Sequence, residues 1–467
     1  MPWAFSPTDF KLLALVALGG WAILLVRYAT PFRLGWAFGL GWFGTGAWWL
    51  ASTFETYGHV PAVLAWLCVI LTGAVLALFP AVWAWASART GRSRTEFALL
   101  FPLFGVCEEW LRGHLFTGLP WTALGNLLLD TPAAGWLSVV GVYGACILPL
   151  GLSSAFVFFR KKRMACLGTL AFWTGLALLS PSPATPDGPI RKVSLIQPNI
   201  TQDQKWDARM LADQMSNLFE LTRRSQPAET VVWPEASIPF FWEQSDAWRQ
   251  RLHELASDVH GDLLVGGIRR LDSRQRAIQN GLFLLRKQAS PFFVAKHHLV
   301  PFGEYVPSWL PWLHKLVPDI GDFTPGLDNG LLKGLHGNYG VLICYESIFP
   351  EEALQRVRAG ADVLVVVTND AWYGTSPAAW QHFQASRARA IETGRFVLRS
   401  ANTGVSAVIA PDGHVQTTIP WWTRGFVQGT YRISHTRTYY VRYGDAWVLL
   451  MLAAGGMLMF IWRTRRL

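Results

Sequence analysis

The sequence predicts an α/β protein in two parts, a polytopic α-helical membrane domain and an extramembrane domain in which strands and helices alternate. Three observations carry this. Of the 467 residues 51% are hydrophobic, with 25 Trp and 28 Phe, too apolar a balance for a purely soluble chain. The apolar residues crowd into positions 10–180 and 446–462, with mixed sequence between. In that middle stretch, short β-branched runs alternate with polar stretches of helical periodicity.

Apolar runs long enough to cross hydrocarbon lie near 10–28, 33–50, 60–86, 97–118, 133–159, 163–180 and 446–462, giving seven spans. The first lacks the basic leading region and small-residue cleavage site of a secretory signal, so it reads as a retained helix. Lys and Arg in short loops resist translocation, so alternate loops should differ in basic content. One set holds Arg27, Arg33, Arg89, Arg92, Arg94, Arg160, Lys161, Lys162, Arg163, Arg463, Arg465 and Arg466, and the other only Lys11 and Arg112. That imbalance places the N-terminus outside, the C-terminus in the cytoplasm, and the domain between spans six and seven outside. The expected division is a transmembrane domain over 1–183, an extracytoplasmic domain over 184–440, and a last helix with a cytoplasmic tail over 441–467. The net charge of +10 comes from the basic loops, because residues 181–467 without the last three Arg carry 27 basic and 25 acidic residues. Nucleic-acid binding gains no support from it.

The Pro-rich stretch from Ser180 to Arg191 reads as the linker that leaves the membrane. Strands are expected in the runs at 192–198, 230–235, 262–267, 281–285, 339–344, 362–368, 396–400 and 404–409, and helices near 206–224, 246–259, 350–359 and 378–393.

Four of the five cysteines, Cys68, Cys107, Cys146 and Cys166, fall in expected spans, leaving Cys344 alone in the extramembrane domain. A lone thiol there is either a buried spectator or a working nucleophile, and its neighbours must decide. Cys344 closes the run Tyr339-Gly-Val-Leu-Ile, at the strand end where open α/β sheets bind ligands. Glu235 ends Val231-Val-Trp-Pro and Lys296 ends Phe292-Phe-Val-Ala, so strand ends offer a thiol, a carboxylate and an ammonium. Glu235 suits a base that takes the thiol proton. Lys296 and the Tyr345 amide suit stabilisation of an oxyanion. Each could equally be a solvated edge residue.

Other features keep two readings. Pro239-Phe-Phe-Trp, Trp309-Leu-Pro-Trp-Leu and Pro420-Trp-Trp are either interfacial lids and acyl-chain walls or ordinary packing. Glu108, Glu109 and Arg112, in or beside a span, form either a structural ion pair or a lipid-headgroup site. His297, His298 and His382 have no metal-binding spacing and are not read as ligands or bases.

Four ordered motifs, WPE at 233–235, KHHLVPFGEYVP at 296–307, CYES at 344–347 and TNDAWYG at 368–374, together resemble a nitrilase-superfamily domain. With GLGWFGTGAWWLAS at 39–52, EWLRGHLFTGLPW at 109–121, QPNITQDQKW at 197–206, QHFQASRARAIETGR at 381–395 and NTG at 402–404, the chain resembles the apolipoprotein N-acyltransferase family, the membrane-bound branch of that superfamily. The resemblance implies a nitrilase-like α-β-β-α sandwich behind the membrane helices. It carries a Glu–Lys–Cys triad onto Glu235, Lys296 and Cys344, with Glu304, Tyr345, Glu346 and Trp206 in support. The implied reaction takes an acyl chain from phosphatidylethanolamine as a Cys344 thioester and passes it to the α-amino group of a diacylglyceryl-cysteine lipoprotein, with no metal or organic cofactor. The implied setting is the bilayer of a bacterial inner membrane, with the catalytic domain periplasmic. The family shows eight spans where this sequence shows seven, so its first helix is expected to be missing. The triad alone also permits a membrane-anchored amidase or nitrilase, and a non-catalytic lipid-binding module is the remaining alternative.

Overall fold

The computed structural model describes residues 1–91, 93–158, 162–271, 277–287, 289–308 and 323–464. The expectations for Arg92, Arg160, Lys161, Arg465, Arg466, the Arg463 side chain and the segment 309–313 lie outside the described residues. Two compact units emerge: Met1–Pro183 with Ser376–Gln384 and Thr438–Leu467, and Ala184–Thr375 with Ala385–Arg437.

The first unit is helical. Its segments include Lys11–Arg27, Pro31–Gly39, Trp49–Thr56, Ala62–Leu76, Leu78–Thr90, Arg94–His114, Arg163–Leu178 and Ala446–Thr464. Among the described residues one continuous run, Ala62–Thr90, is long and apolar enough to cross a membrane. A second candidate, Ala134–Ala145 with Ile147–Phe158, is bent by 69°. The run expected near 33–50 is helical from residue 31 to residue 46, with a π-helical stretch at Leu40–Gly44, and is broken at residues 47–48 before Trp49–Thr56 begins. Large apolar side chains stand exposed along Ala62–Thr90, among them Val63, Trp66, Ile70, Val75, Val82 and Trp85. Water would penalise such a surface; hydrocarbon would not.

Arg112 in this unit is buried, with Nη2 2.6 Å from Glu109 Oε1 and Nε 3.5 Å from Glu108 Oε1. Its Nη1 donates to the carbonyls of Leu119 and Trp121, and Glu109 Oε2 accepts the Leu124 N–H. These bonds pin the loop after the helix, which makes the cluster a structural ion pair.

The second unit is an α/β sandwich. Its strands are β1 (Ile190–Gln197), β2 (Thr230–Val232), β3 (Asp262–Arg270), β4 (Ile278–Leu285), β5 (Phe292–Ala295), β6 (Leu331–Lys333), β7 (Asn338–Ile343), β8 (Val363–Thr368), β9 (Val397–Ala401), β10 (Ser406–Ile409), β11 (Val415–Ile419) and β12 (Gly425–Arg432). They form two six-stranded sheets, ordered β12-β1-β2-β3-β4-β5 and β11-β10-β9-β8-β7-β6. The centres are parallel, β1-β2-β3 and β7-β8-β9, and antiparallel strands flank them.

Val193, Leu195, Val232 and Leu264 of one sheet share a core with Val341, Val365, Val367 and Leu398 of the other. Each such buried side chain contributes roughly 1.5–3 kcal/mol over its exposed state. The outer face of the first sheet carries the helices Leu211–Arg224 and Asp246–Asp258, whose Leu218, Leu221, Leu252 and Leu255 pack on Val231, Leu263 and Phe283. Parallel strands covered on both faces read as unbroken apolar runs, and the eight expected runs are all strands.

Candidate active site

The parallel strands of both sheets end on loops that carry polar groups. β2 stops at Val232, and Glu235 follows three residues later rather than closing the strand itself. Its loop lies so close to β3 that a Cβ at Gly266 would meet the Pro234 carbonyl at 2.0 Å, so only glycine fits there. Glu235 is buried; its Oε1 accepts Asn280 Nδ2 at 2.8 Å and its Oε2 accepts the Asn369 N–H at 2.9 Å. Asn280 belongs to β4 and Asn369 follows β8, so the carboxylate is held from both sheets.

Lys296 follows the last residue of β5, and its N–H donates to the Asn280 carbonyl at 2.8 Å. The buried Nζ donates to Glu304 Oε1 at 2.7 Å and lies 3.9 Å from Glu235 Oε1. Glu304 is itself fixed, because its Oε2 accepts the Val300 N–H at 2.7 Å. Burial works against the Lys296 charge, but Glu304, Glu235 and the nearby Cys344 sulfur more than offset it, so the ammonium is held above the ordinary lysine range.

Cys344 takes the first position after β7 with φ +51°, in the left-handed region that non-glycine residues rarely occupy. Such a conformation costs on the order of 1–3 kcal/mol and persists only where its surroundings over-determine it. Here they do: the Ile343 N–H donates to Glu346 Oε2 at 2.6 Å, and Ser347 Oγ donates to the Cys344 carbonyl at 2.9 Å. Burial pushes the thiol pKa up, Glu235 and Asp370 push it the same way, and Lys296 and a Thr368 hydrogen bond oppose them. The resting group is therefore a neutral thiol that needs a base before it can attack.

Glu346 is buried under this turn, and its Oε1 accepts the N–H groups of His297 and His298 at 2.6 and 3.1 Å. Tyr345 is buried against Phe349, with ring centroids 4.9 Å apart. Trp206 is 50% exposed at the end of the short helix Gln202–Lys205. His297 Nε2 lies 3.0 Å from Asp328 Oδ1, His298 stacks on Phe349 at 3.9 Å, and His382 is buried. Trp242 of the 239–242 segment is buried on Phe283 at 4.3 Å, which is ordinary packing, whereas Trp421 and Trp422 are partly exposed.

Several residues of this cluster were not singled out from sequence. Asn280 and Asn369 hold Glu235, and Arg399 pairs with Asp370 at 2.8 Å, both fully buried. Lys205 donates from Nζ to the backbone carbonyl of Glu235 at 3.0 Å. Asn369, Asp370 and Lys205 stand inside motifs already quoted, TNDAWYG and QPNITQDQKW, so a signal existed. Asn280, a polar residue opening the apolar run of β4, gave none.

The arrangement offers a protonated thiol, a desolvated carboxylate and a fixed ammonium, the set required for nucleophilic acyl transfer. The Carbon-nitrogen hydrolase family pattern matches residues 192–440, and that of the Apolipoprotein N-acyltransferase N-terminal domain matches residues 1–155. An apolipoprotein N-acyltransferase of Nitrosomonas europaea is 36% identical over 484 residues, covering 99% of this chain and 96% of that one. One of Pseudomonas syringae pv. tomato is 34% identical, covering 98% and 93%. Among solved structures, the C. elegans NitFhit protein aligns at a TM-score of 0.42 and 18% identity, covering 53% of this chain and 62% of that one.

Proposed function

We infer the function from one premise, that this chain belongs to the apolipoprotein N-acyltransferase family, whose relatives match it over nearly its full length. It is an acyltransferase that N-acylates lipoproteins. The amidase alternative is not favoured, because relatives named for N-acyl transfer cover both units of the chain.

The finer reading is that Cys344 carries the acyl group as a thioester, Glu235 moves the protons and Lys296 stabilises the oxyanion, with no metal or cofactor. What supports it is the neutral buried thiol beside a carboxylate and an ammonium 3.9 Å apart. In the first half, the thiol proton passes to Glu235 as sulfur attacks the ester carbonyl of a phospholipid, the S–C bond forms, and the carbonyl electron pair moves onto oxygen. Collapse breaks the C–O bond, and the leaving glycerol oxygen takes the proton from Glu235. In the second half, the α-amino group of the diacylglyceryl-cysteine attacks the thioester, Glu235 takes a proton from nitrogen, and the C–S bond breaks as that proton returns to sulfur. Glu304 holds Lys296, Glu346 holds the turn, and Tyr345 and Trp206 line the approach.

The donor in this reading is phosphatidylethanolamine in the bilayer. Residues 1–183 and 441–467 form its seven-span membrane domain, and 184–440 the periplasmic catalytic domain, with the C-terminus cytoplasmic. The exposed apolar surface of Ala62–Thr90 and the one-sided Lys and Arg of the loops support that topology. A lipid setting also limits the water that would hydrolyse a thioester.

The test is peptide-resolved mass spectrometry after incubation with phosphatidylethanolamine. An added acyl mass on Cys344 that disappears when a diacylglyceryl lipopeptide is supplied is the expected result. Acylated lipopeptide made by Cys344→Ala protein would overturn the thioester.

A further inference from the structure

Lys205 is 3% exposed, and among the described residues its Nζ has one hydrogen bond, to the Glu235 carbonyl at 3.0 Å, and no ion pair with a carboxylate. A buried ammonium is expensive unless its charge is matched, so a lysine kept here with so little direct support needs a reason. Lys296 shows the contrast, lying against Glu304 and Glu235.

Counting the charges of the site supplies the reason. Lys296 alone is outnumbered by Glu235 and Glu304, while Asp370 is already balanced by Arg399 at 2.8 Å. Lys205 brings the group to neutrality. Without it, negative charge on sulfur or on an acyl oxyanion would develop in a water-poor site that already carries an excess carboxylate. The groups whose fields reach the Lys205 ammonium are Glu235 and Cys344, and those that reach the thiol include Glu235, Lys296 and Asp370, with Tyr373 alongside.

We propose that Lys205 is a second charge-balancing cation of the active site, which lowers the cost of negative charge on the Cys344 sulfur and on the oxyanions that follow it. The oxyanion part rests on the reading of Cys344 as the acylated nucleophile; the effect on the sulfur does not. Burial pushes the Lys205 pKa down to about 8, against the opposing fields of Glu235 and Cys344, so its charge changes within reach of ordinary buffers. The rival role is structural: the same hydrogen bond could merely hold the Glu235 backbone before Ala236, whose φ is +44°.

The two roles separate in the alkylation of Cys344 by iodoacetamide, followed in the detergent-purified full chain by peptide-resolved mass spectrometry between about pH 6 and pH 10. In the wild type the rate should climb about tenfold per pH unit, level off near pH 8 over about one unit, and then climb again onto the line of the uncharged variants. Over the level stretch the thiolate–ammonium pair and the thiol–amine pair hold the same number of protons, so their ratio does not depend on pH. Lys205→Gln keeps a donor for the Glu235 carbonyl but no charge, and Lys205→Met keeps neither. Both should react about tenfold more slowly below pH 8 and keep rising with no bend. A Lys205→Gln protein with the wild-type profile would overturn the proposal, and so would a wild-type profile with no bend, a readout that needs no variant to fold. The assay contains neither phospholipid nor lipoprotein, so a bend present in the wild type and lost in Lys205→Gln, with no acyl mass on Cys344 after incubation with phospholipid, would retire the thioester and leave the charge role standing.

Discussion

The backbone N–H of His297 donates to Glu346 Oε1 at 2.6 Å, which ties the residue after Lys296 to the turn that carries Cys344. The other oxygen of the same carboxylate accepts the Ile343 N–H at 2.6 Å, and Arg356 Nη2 lies 3.4 Å from Oε1. One buried side chain thus sets the ammonium and the thiol in register. Glu346→Ala removes the acceptor of three buried backbone N–H groups, while Arg356 keeps Glu352 at 2.6 Å, and should destabilise the second unit by about 3–5 kcal/mol. Thermal unfolding in detergent would register this as a lowered Tm. Glu346→Gln, which keeps the shape, should fold better but still label Cys344 with acyl groups more slowly, because its amide NH₂ must face an N–H donor.

Glu235 and Lys296 act on different steps in the proposed chemistry, so their variants should differ in kind. Glu235→Gln keeps an acceptor for the Asn369 N–H, and its NH₂ finds a partner only when the Asn280 amide turns its oxygen over to meet it; it takes no proton, and the first-half rate should fall by about 10²–10⁴. Lys296→Met leaves Glu304 and Glu235 facing each other across an uncharged stem, and should lose both acylation and some stability. Rapid-quench measurement of the acyl-enzyme would separate them. An equal first-half rate in Glu235→Gln and wild type would remove Glu235 from the role of base.

The buried parallel strands were legible because runs such as Val363–Thr368, apolar on both faces, signal themselves without periodicity. The strands β6, β11 and β12 were not, since β11 alternates half-buried with exposed residues and reads as a polar loop until β10 pairs with it. Glu235, Lys296 and Cys344 could be named because strand-end position and motif both mark them. What holds them could not: Asn280 reaches Glu235 only because β4 pairs with β3, which lies beside β2, and Asn369 only because the second sheet faces the first. Contacts between residues 45 and 134 positions apart leave no periodic trace in a single sequence. In the helical unit, hydropathy found the apolar runs but not the breaks, such as the one at residues 47–48, which depend on how helices pack.

Asp370 and Arg399 form a fully buried ion pair at 2.8 Å, and Asp370 also accepts the Thr368 hydroxyl at 2.8 Å. Gly404 exists to leave room for it, since a Cβ there would meet Asp370 Oδ2 at 2.0 Å. Arg399→Met leaves the carboxylate uncompensated, which typically costs about 3–5 kcal/mol. Because Asp370 already pushes the Cys344 thiol toward the protonated form, loss of Arg399 should push it further the same way and slow alkylation at every pH tested. Asp370→Asn with Arg399→Met should recover part of both losses. A double variant no better than Arg399→Met would show that the charge of Asp370 is not what the arginine balances.

The topology makes its own prediction, since Asp187 in the linker and Arg89 at the end of Ala62–Thr90 belong to opposite sides of the proposed membrane. Both side chains are solvent-accessible, so single cysteines there should react readily with a maleimide that can reach them. In intact spheroplasts a membrane-impermeant reagent should label Asp187→Cys at once and Arg89→Cys only after the membrane is opened. The native cysteines can stay as an internal baseline, measured in the parent protein. Labelling of Arg89→Cys from outside would invert the assignment drawn from the basic loops. It would put Cys344 on the cytoplasmic side, away from lipoproteins that have already been exported, and so would count against the acceptor as well as the topology.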